Sequence, residues 1–264
     1  MTPDPLGTPI RAFAEDVADF LLGRACPGCG GALPRGRPVC DRCDARVPRT
    51  GAVHCLRCMQ EGEPTPEAGA RGAGGCPRHG SERLLLAGPA FEDPLDRIVR
   101  AFKYSGARAT HRWLAALLPD PPAGGTPAGR EYLLVPVPLH AARRAWRGFD
   151  QALLLAHAAG AAWGIPVATA LERTRDHPPQ ARTGADSRRE NVRGAFALVP
   201  GAERLVRGRA VLLLDDVATT GSTLLEAAAT LEVAAPAWIL ALTFAHGGLA
   251  DAPEPPSAAR IARG

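Results

Sequence analysis

Two aspartates stand side by side after a run of apolar residues, in Val211-Leu212-Leu213-Leu214-Asp215-Asp216. A turn of small and hydroxyl-bearing residues follows, Ala218-Thr219-Thr220-Gly221-Ser222-Thr223, and leads into a helix-forming stretch. Consecutive backbone N–H groups in such a turn, backed by the partial positive charge of a helix start, make an anion site suited to a phosphate. The carboxylates beside it need a different partner. An ionised Asp only accepts hydrogen bonds, and the 2′- and 3′-hydroxyls of a ribose donate them. A ribose with a 5′-phosphate therefore accounts for the whole stretch. Gly221 leaves room for close approach. The pattern is not a Walker A loop, since GxxxxGK is absent.

A second chemistry sits near the front. All seven cysteines fall between residues 26 and 76. Cys26-Pro-Gly-Cys29 and Cys40-Asp-Arg-Cys43 form two CxxC pairs, and glycines at 28, 30 and 31 ease the tight backbone. Two thiolates per turn, four in all, read as a structural zinc site. Cys55-Leu-Arg-Cys58 and Cys76-Pro-Arg-His79 supply three cysteines and a histidine, a second full ligand set. Full sets argue for scaffolding over catalysis. The spacing leaves open whether ligands pair within each set or across the two. The insert between the halves of the second set, residues 61 to 75, has the composition of a disordered linker. A module this small needs the metal to fold.

The third candidate is a lone residue. Of 31 basic residues one is lysine, Lys103, in a chain otherwise drifted to Arg. A compact ammonium does what a guanidinium cannot. A net charge of +4 argues weakly for a polyanion partner, so a nucleic acid would have to use a local basic patch.

These residues need elements to hold them. With 264 residues and 46% hydrophobic content, the chain can bury one ordinary core beside a small module. No stretch reaches the roughly 18–20 apolar residues of a membrane span. Ile10, Phe13, Val17, Phe20 and Leu21 follow helical spacing. Acids within that stretch exclude a signal peptide, which makes the cytoplasm the expected compartment. Residues 84 to 92 read as a strand or half of a hairpin. Residues 94 to 104 read as a helix with Leu95, Ile98, Val99 and Phe102 on one face, and 108 to 118 continue helical. Residues 119 to 129 are a loop, 132 to 139 a buried strand running into prolines, 149 to 164 a helix and 165 to 171 a strand. Residues 173 to 194 are a long Arg-rich loop. Residues 211 to 216 are a strand, 223 to 231 its helix and 237 to 245 a last strand. Alternation of this kind gives an α/β fold with a parallel sheet covered by helices, and ligands then sit at the carboxyl ends of the strands. The expected division is a helix and zinc module over 1–83, an α/β domain over 84–250 and a disordered tail over 251–264.

The stretch from Val211 to Thr223 resembles the phosphoribosyl-pyrophosphate (PRPP) motif of type I phosphoribosyltransferases. With FKYSG (102–106), VPVPLHAARRAWRGFDQA (135–152), RTRDHPPQARTGADSRRENVRGAF (173–196) and the cysteine-rich front, nearly the whole chain resembles the ComF family of competence proteins. The departures are Asp150, where the family reads RGFN, and His79, in place of a fourth cysteine. The resemblance implies a type I phosphoribosyltransferase-like domain behind a zinc-ribbon-like module. Asp215 and Asp216 would hold ribose hydroxyls and residues 218–223 the 5′-phosphate. Val137 would sit in the pyrophosphate loop, with Arg143, Arg144 and Arg147 following it. Gln180, Arg188, Arg189 and Asn191 would be polar heads of a loop closing over PRPP, and Mg²⁺ would bridge ligand oxygens. Lys103 and Arg147 are the candidate catalytic residues. The implied role is DNA uptake in natural transformation, acting on incoming single-stranded DNA with DNA-uptake proteins. A catalytic phosphoribosyltransferase of nucleotide salvage is the other reading, and no acceptor base is named by the residues.

Overall fold

A computed structural model describes residues 24–61, 76, 78–79, 83–104, 108–122, 131–175 and 194–247. The expected helix over 10–21, most of the Arg-rich loop with Gln180, Arg188, Arg189 and Asn191, and the tail over 251–264 lie outside the described residues. Along the chain the elements are β1 (Arg24–Ala25), β2 (Ala32–Leu33), α1 (Asp41–Asp44), β3 (Ala52–Cys55), β4 (Leu84–Ala87), α2 (Leu95–Tyr104), α3 (His111–Ala115) and β5 (Tyr132–Pro136). There follow α4 (Ala141–Arg147), α5 (Gln151–Trp163), β6 (Leu171–Arg173), β7 (Phe196–Leu198), α6 (Ala202–Val206), β8 (Ala210–Ala218), α7 (Ser222–Glu232) and β9 (Trp238–His246).

The chain divides into two compact units, one of Met1–Pro48 with Asp93–Trp113, the other of Arg49–Glu92 with Leu114–Gly264. In the first, β1 and β2 pair antiparallel and α1 carries the Cys40/Cys43 knuckle. A Cβ on Gly28 would stand 2.9 Å from Cys43 Sγ, so the knuckle closes on itself only over a glycine. Helix α2 buries Leu95, Ile98, Val99 and Phe102 on the face their spacing marks out. Asp93 accepts from Arg46 and Arg97, each at 2.7 Å. The indole N–H of Trp113 donates to Asp44 at 2.6 Å.

The second unit holds a five-stranded sheet in the order β3-β4-β9-β8-β5. All neighbours are parallel except β3, which pairs antiparallel with β4. Parallel strands are buried on both faces, so their sequences run apolar without alternation. Strand β8 obeys this: Val211, Leu212, Leu213 and Leu214 are fully buried. One face packs Val211 and Leu213 together with Leu224, Ala227, Ala228 and Leu231 of α7. The expected strand over 165–171 is absent as such. Val167 makes one bridge to Leu134, flanked by Leu134 N–H to Pro166 O and Ala168 N–H to Leu134 O. The chain then turns to pair β6 with β7 in a separate two-stranded ribbon. Pro166 has no N–H and cannot extend a ladder.

Candidate ligand site and metal centres

Strand β8 carries the two aspartates to the carboxyl end of the sheet. Both are half-buried, after four fully buried neighbours. Asp215 Oδ1 accepts from Asp216 N–H at 2.8 Å, and Asp216 Oδ1 from Val217 N–H at 2.6 Å. One oxygen of each carboxylate is thereby oriented by the backbone.

The turn after β8 is fixed from several sides. Ala218 O accepts from Gly247 N–H at 2.6 Å. Thr220 Oγ1 and Ser222 Oγ share a hydrogen bond of 2.7 Å. Gly221 is the N-cap of α7, with φ 68, and no side chain caps the helix. The leading N–H groups of an α-helix have no partner within it. An uncapped start on an 11-residue helix, directly after two carboxylates, is the donor array a phosphate needs. Gly221 has another reason to be glycine than ligand approach. A Cβ there would lie 2.8 Å from Met59 Sδ and 2.9 Å from Leu56 O.

Val137 comes to the same place through the sheet. Pro136 is in register with Leu214, and Val137 N–H donates to Leu214 O at 2.8 Å, one residue from Asp215. The connection leaving Val137 carries Arg143, Arg144 and Arg147 on α4, a helix with no buried residue. His140 caps its start and Gly148 ends it in the left-handed conformation. Asp150 then accepts from Leu153 N–H at 3.2 Å, capping α5, and from Leu139 N–H at 2.8 Å. The arginine helix is thus a loop closed at its base by one carboxylate. Lys103 lies on α2, in the other unit. Arg188 lies outside the described residues.

Residues that the sequence did not single out also surround the turn. His54 is buried, its ring centroid 4.7 Å from that of His246. Burial, then the neighbouring His246, holds the His54 pKa below its usual value, against smaller opposing effects of Glu61 and the Met59 backbone. His246 Nδ1 is 2.8 Å from Gly88 O. Glu226 on α7 accepts from Gly194 N–H at 2.6 Å, where the chain returns from the Arg-rich loop. The one available signal was Leu56, a bulky apolar residue inside a CxxC where Pro27 and Asp41 take the same place in the other two.

The cysteines gather into two sets paired within themselves: Cys26, Cys29, Cys40 and Cys43, then Cys55, Cys58, Cys76 and His79. All seven thiols are free of disulfides. Cys29 and Cys40 sulfurs are 3.7 Å apart, as are those of Cys58 and Cys76. His79 Nδ1 stands 3.5 Å from the sulfurs of Cys55 and Cys76. A tetrahedral zinc with its usual bond lengths places two sulfurs about 3.8 Å apart, and a sulfur and a nitrogen about 3.6 Å apart. Both sets therefore fit a metal ion of that kind. Burial raises the Cys26 thiol, but N–H donation from Cys40, Cys29 and Gly28 outweighs it and brings the pKa to about 6. Cys76 is likewise brought to about 6, burial being outweighed by donors at Arg78 and His79. Burial pushes Cys55 up to about 11 and raises Cys43 as well. Metal binding must strip those two protons. We expect elemental analysis of the purified chain to find about two zinc ions, one per set of four ligands. Loading the metal-free chain at neutral pH releases protons, seen as a buffer-dependent calorimetric heat. One zinc ion, or none, would remove one centre or both.

No protein-family model matches the chain. Competence protein F of Haemophilus influenzae is 29% identical over 208 residues, covering 76% of this chain and 81% of the relative. The DNA utilization protein YhgH of Salmonella typhi is 30% identical over 212 residues, covering 77% of this chain and 75% of the relative. The chain belongs to the ComF family of competence and DNA-utilization proteins. Two solved structures also align in part. The allosteric regulatory enzyme of purine biosynthesis is 17% identical over 52% of this chain and 26% of its own, at a TM-score of 0.33. Glutamine PRPP amidotransferase of B. subtilis is 18% identical over 57% of this chain and 27% of its own, at 0.30.

Within this ComF chain the two departures from the family pattern are both accommodated. Asp150 only has to accept, and it does so from two backbone N–H groups. His79 supplies a nitrogen where a fourth sulfur would stand.

Proposed function

We propose that this chain binds PRPP at the end of β8 and uses that site while handling single-stranded DNA in DNA uptake or utilization. One observation carries the reading. Two half-exposed carboxylates at the end of a fully buried strand run straight into an uncapped helix start. The carboxylates of Asp215 and Asp216 accept from the ribose hydroxyls. The N–H groups of residues 219–223 receive the 5′-phosphate, with the Thr and Ser hydroxyls beside them. The backbone at Val137 and the guanidiniums of Arg143, Arg144, Arg147 and Arg188 serve the pyrophosphate, since Arg pairs bidentately with phosphate oxygens. Mg²⁺ would come in with the ligand and would offset the charge of its phosphate groups.

The DNA half of the reading rests on α4. Trp146 is 74% exposed between Arg144 and Arg147, and Phe149 follows two residues after the arginine. Aromatic faces among guanidiniums suit stacked bases on a tracked phosphate backbone. The names borne by the relatives, competence protein and DNA utilization protein, point the same way. Among the described residues no helix is long and apolar enough to cross a membrane. The cytoplasm, where an incoming strand arrives, is the compartment that suits this work.

A second reading, a catalytic transferase, is favoured by the intact Asp pair. There Lys103 and Arg147 are the candidate catalytic residues; the departing pyrophosphate takes the bonding pair from the ribosyl C1, and the acceptor base supplies the pair of the new bond. Calorimetric titration with PRPP and Mg²⁺, with and without a short single-stranded oligonucleotide, tests the first reading. Binding is expected, and its affinity shifts when DNA is present. Oligonucleotide affinity should fall steeply with salt, with a slope near −0.7 per phosphate neutralised. Pyrophosphate release on adding a nucleobase would select the transferase. DNA binding without PRPP binding would sink the ligand site.

A further inference from the structure

The second metal set lies against the turn proposed to bind phosphate. We infer that Leu56 and Met59, inside and beside the Cys55/Cys58 knuckle, are positioning residues for that turn, so that the metal set governs its affinity for phosphate. The inference rests on the reading of residues 218–223 as a phosphate site.

The contacts start at the knuckle. Strand β3 brings Cys55 to the sheet. Met59 N–H then donates to Cys55 O at 2.6 Å, and Cys55 N–H to Gln60 O at 3.0 Å. Met59 sits at φ 56, a conformation rare outside glycine. Leu56 is 2% exposed and Met59 4%, and both join the core that includes Ala218 and Leu224, on either side of the turn. The Leu56 carbonyl and the Met59 sulfur fill the space where a Cβ of Gly221 would be. Gly221 is the N-cap from which the donor array of α7 begins. The far end of α7 is held by the same region. Arg83, whose carbonyl accepts from Leu56 N–H at 2.9 Å, pairs with Glu232 at 2.7 Å. Both ends of the phosphate helix therefore lean on residues joined to the knuckle.

The ligands make this support conditional. Cys55 and Cys58 bracket Leu56, while Cys76 and His79 arrive from beyond the 61–75 insert. A metal ion ties the two halves into one rigid piece. Without it the knuckle loses its tie to Cys76 and His79 and keeps only the β3 pairing, the Leu56 bond to Arg83 and its own turn bonds, and the seat of Gly221 loosens. A close-packed support transmits such a shift, because interiors have few voids to absorb it. Supporting contacts of this kind set how well a binding array is held.

The test uses the full chain, with zinc counted, in Met59→Ala, Met59→Leu and Cys58→Ser forms. PRPP affinity is measured by calorimetry with Mg²⁺, and amide hydrogen exchange is followed at residues 218–226 and at Leu212–Leu214. Met59→Ala keeps all four ligands. It should bind PRPP at least ~10-fold more weakly and exchange the turn amides at least ~10-fold faster, with Leu212–Leu214 unchanged. Met59→Leu, of similar volume, should recover both. Cys58→Ser should lose one zinc and show the larger defect. If Cys58→Ser does not fold, Met59→Ala decides. Wild-type affinity and turn exchange in Met59→Ala overturn the inference. Failure of the wild-type chain to bind PRPP sinks the functional reading instead. The turn exchange then decides alone, faster in Met59→Ala supporting the positioning role and unchanged overturning it.

Discussion

A chain carrying Asp215→Asn and Asp216→Asn should keep its fold and lose PRPP binding by about 10²–10⁴-fold, from two charge-assisted hydrogen bonds worth roughly 1.5–3 kcal/mol each. The fold survives for a local reason. Each Asp accepts from the N–H of the next residue through Oδ1, and an Asn carbonyl oxygen accepts the same bond. The strand beneath is an apolar run buried through Leu214. What Asn removes is charge. Each carboxylate is held by its own backbone N–H, so the two act separately and each single variant should lose only part of the affinity. Thermal unfolding checks the fold and calorimetry with Mg²⁺ checks the binding. Unchanged affinity in a folded double variant would move the ligand site off β8.

Local spacing made much of this molecule legible. The α2 face of Leu95, Ile98, Val99 and Phe102 follows from helical period alone, and its burial agrees. Strand β8 and helix α7 follow from an unbroken apolar run, two aspartates and a small-residue turn. The ligand sets follow from CxxC spacing, although only the structure pairs them within themselves. What was hidden is long-range. The cysteine-rich stretch reads as a separate front module, yet β3 within it is an edge strand of the sheet, and the compact units divide at Pro48 rather than after the last ligand. Four residues, Ala52–Cys55, cannot announce a sheet partner that lies beyond a long insert. Gly221 was legible as a glycine that must be small, but its neighbours Leu56 and Met59 come from far away in the sequence. The short helix α6 and the ribbon strand β7 went unread, since three to five residues give too little period to detect. Asp150 stands out in the sequence as a departure from RGFN, and the structure gives it a backbone task, closing the α4 loop.

Removing metal from Cys26, Cys29, Cys40 and Cys43 should dissolve the front of the first unit. Its described elements before α2 are two strands of two residues and one helix of four. None is stable alone, because helix nucleation is costly and a single short strand pair is marginal in water. The apolar residues buried there are few, Val39 and Val47 beside Cys26 and Cys43 themselves. A structural zinc ion in a small peptide contributes about 10–16 kcal/mol near neutral pH, as much as the whole stability of an ordinary domain. The buried ligands would also be left unmatched, Cys26 brought down to about 6 and Cys43 raised by burial. Trp113 supplies a local reporter through its indole N–H bond to Asp44, the residue after Cys43. On chelation, or in Cys43→Ser, the Trp113 indole resonance should move to the position of a water-bonded indole, and the amides of residues 26–47 should exchange freely. Retention of that resonance after the zinc is gone would mean that α2, through its buried face of Leu95, Ile98, Val99 and Phe102, holds the unit without the metal.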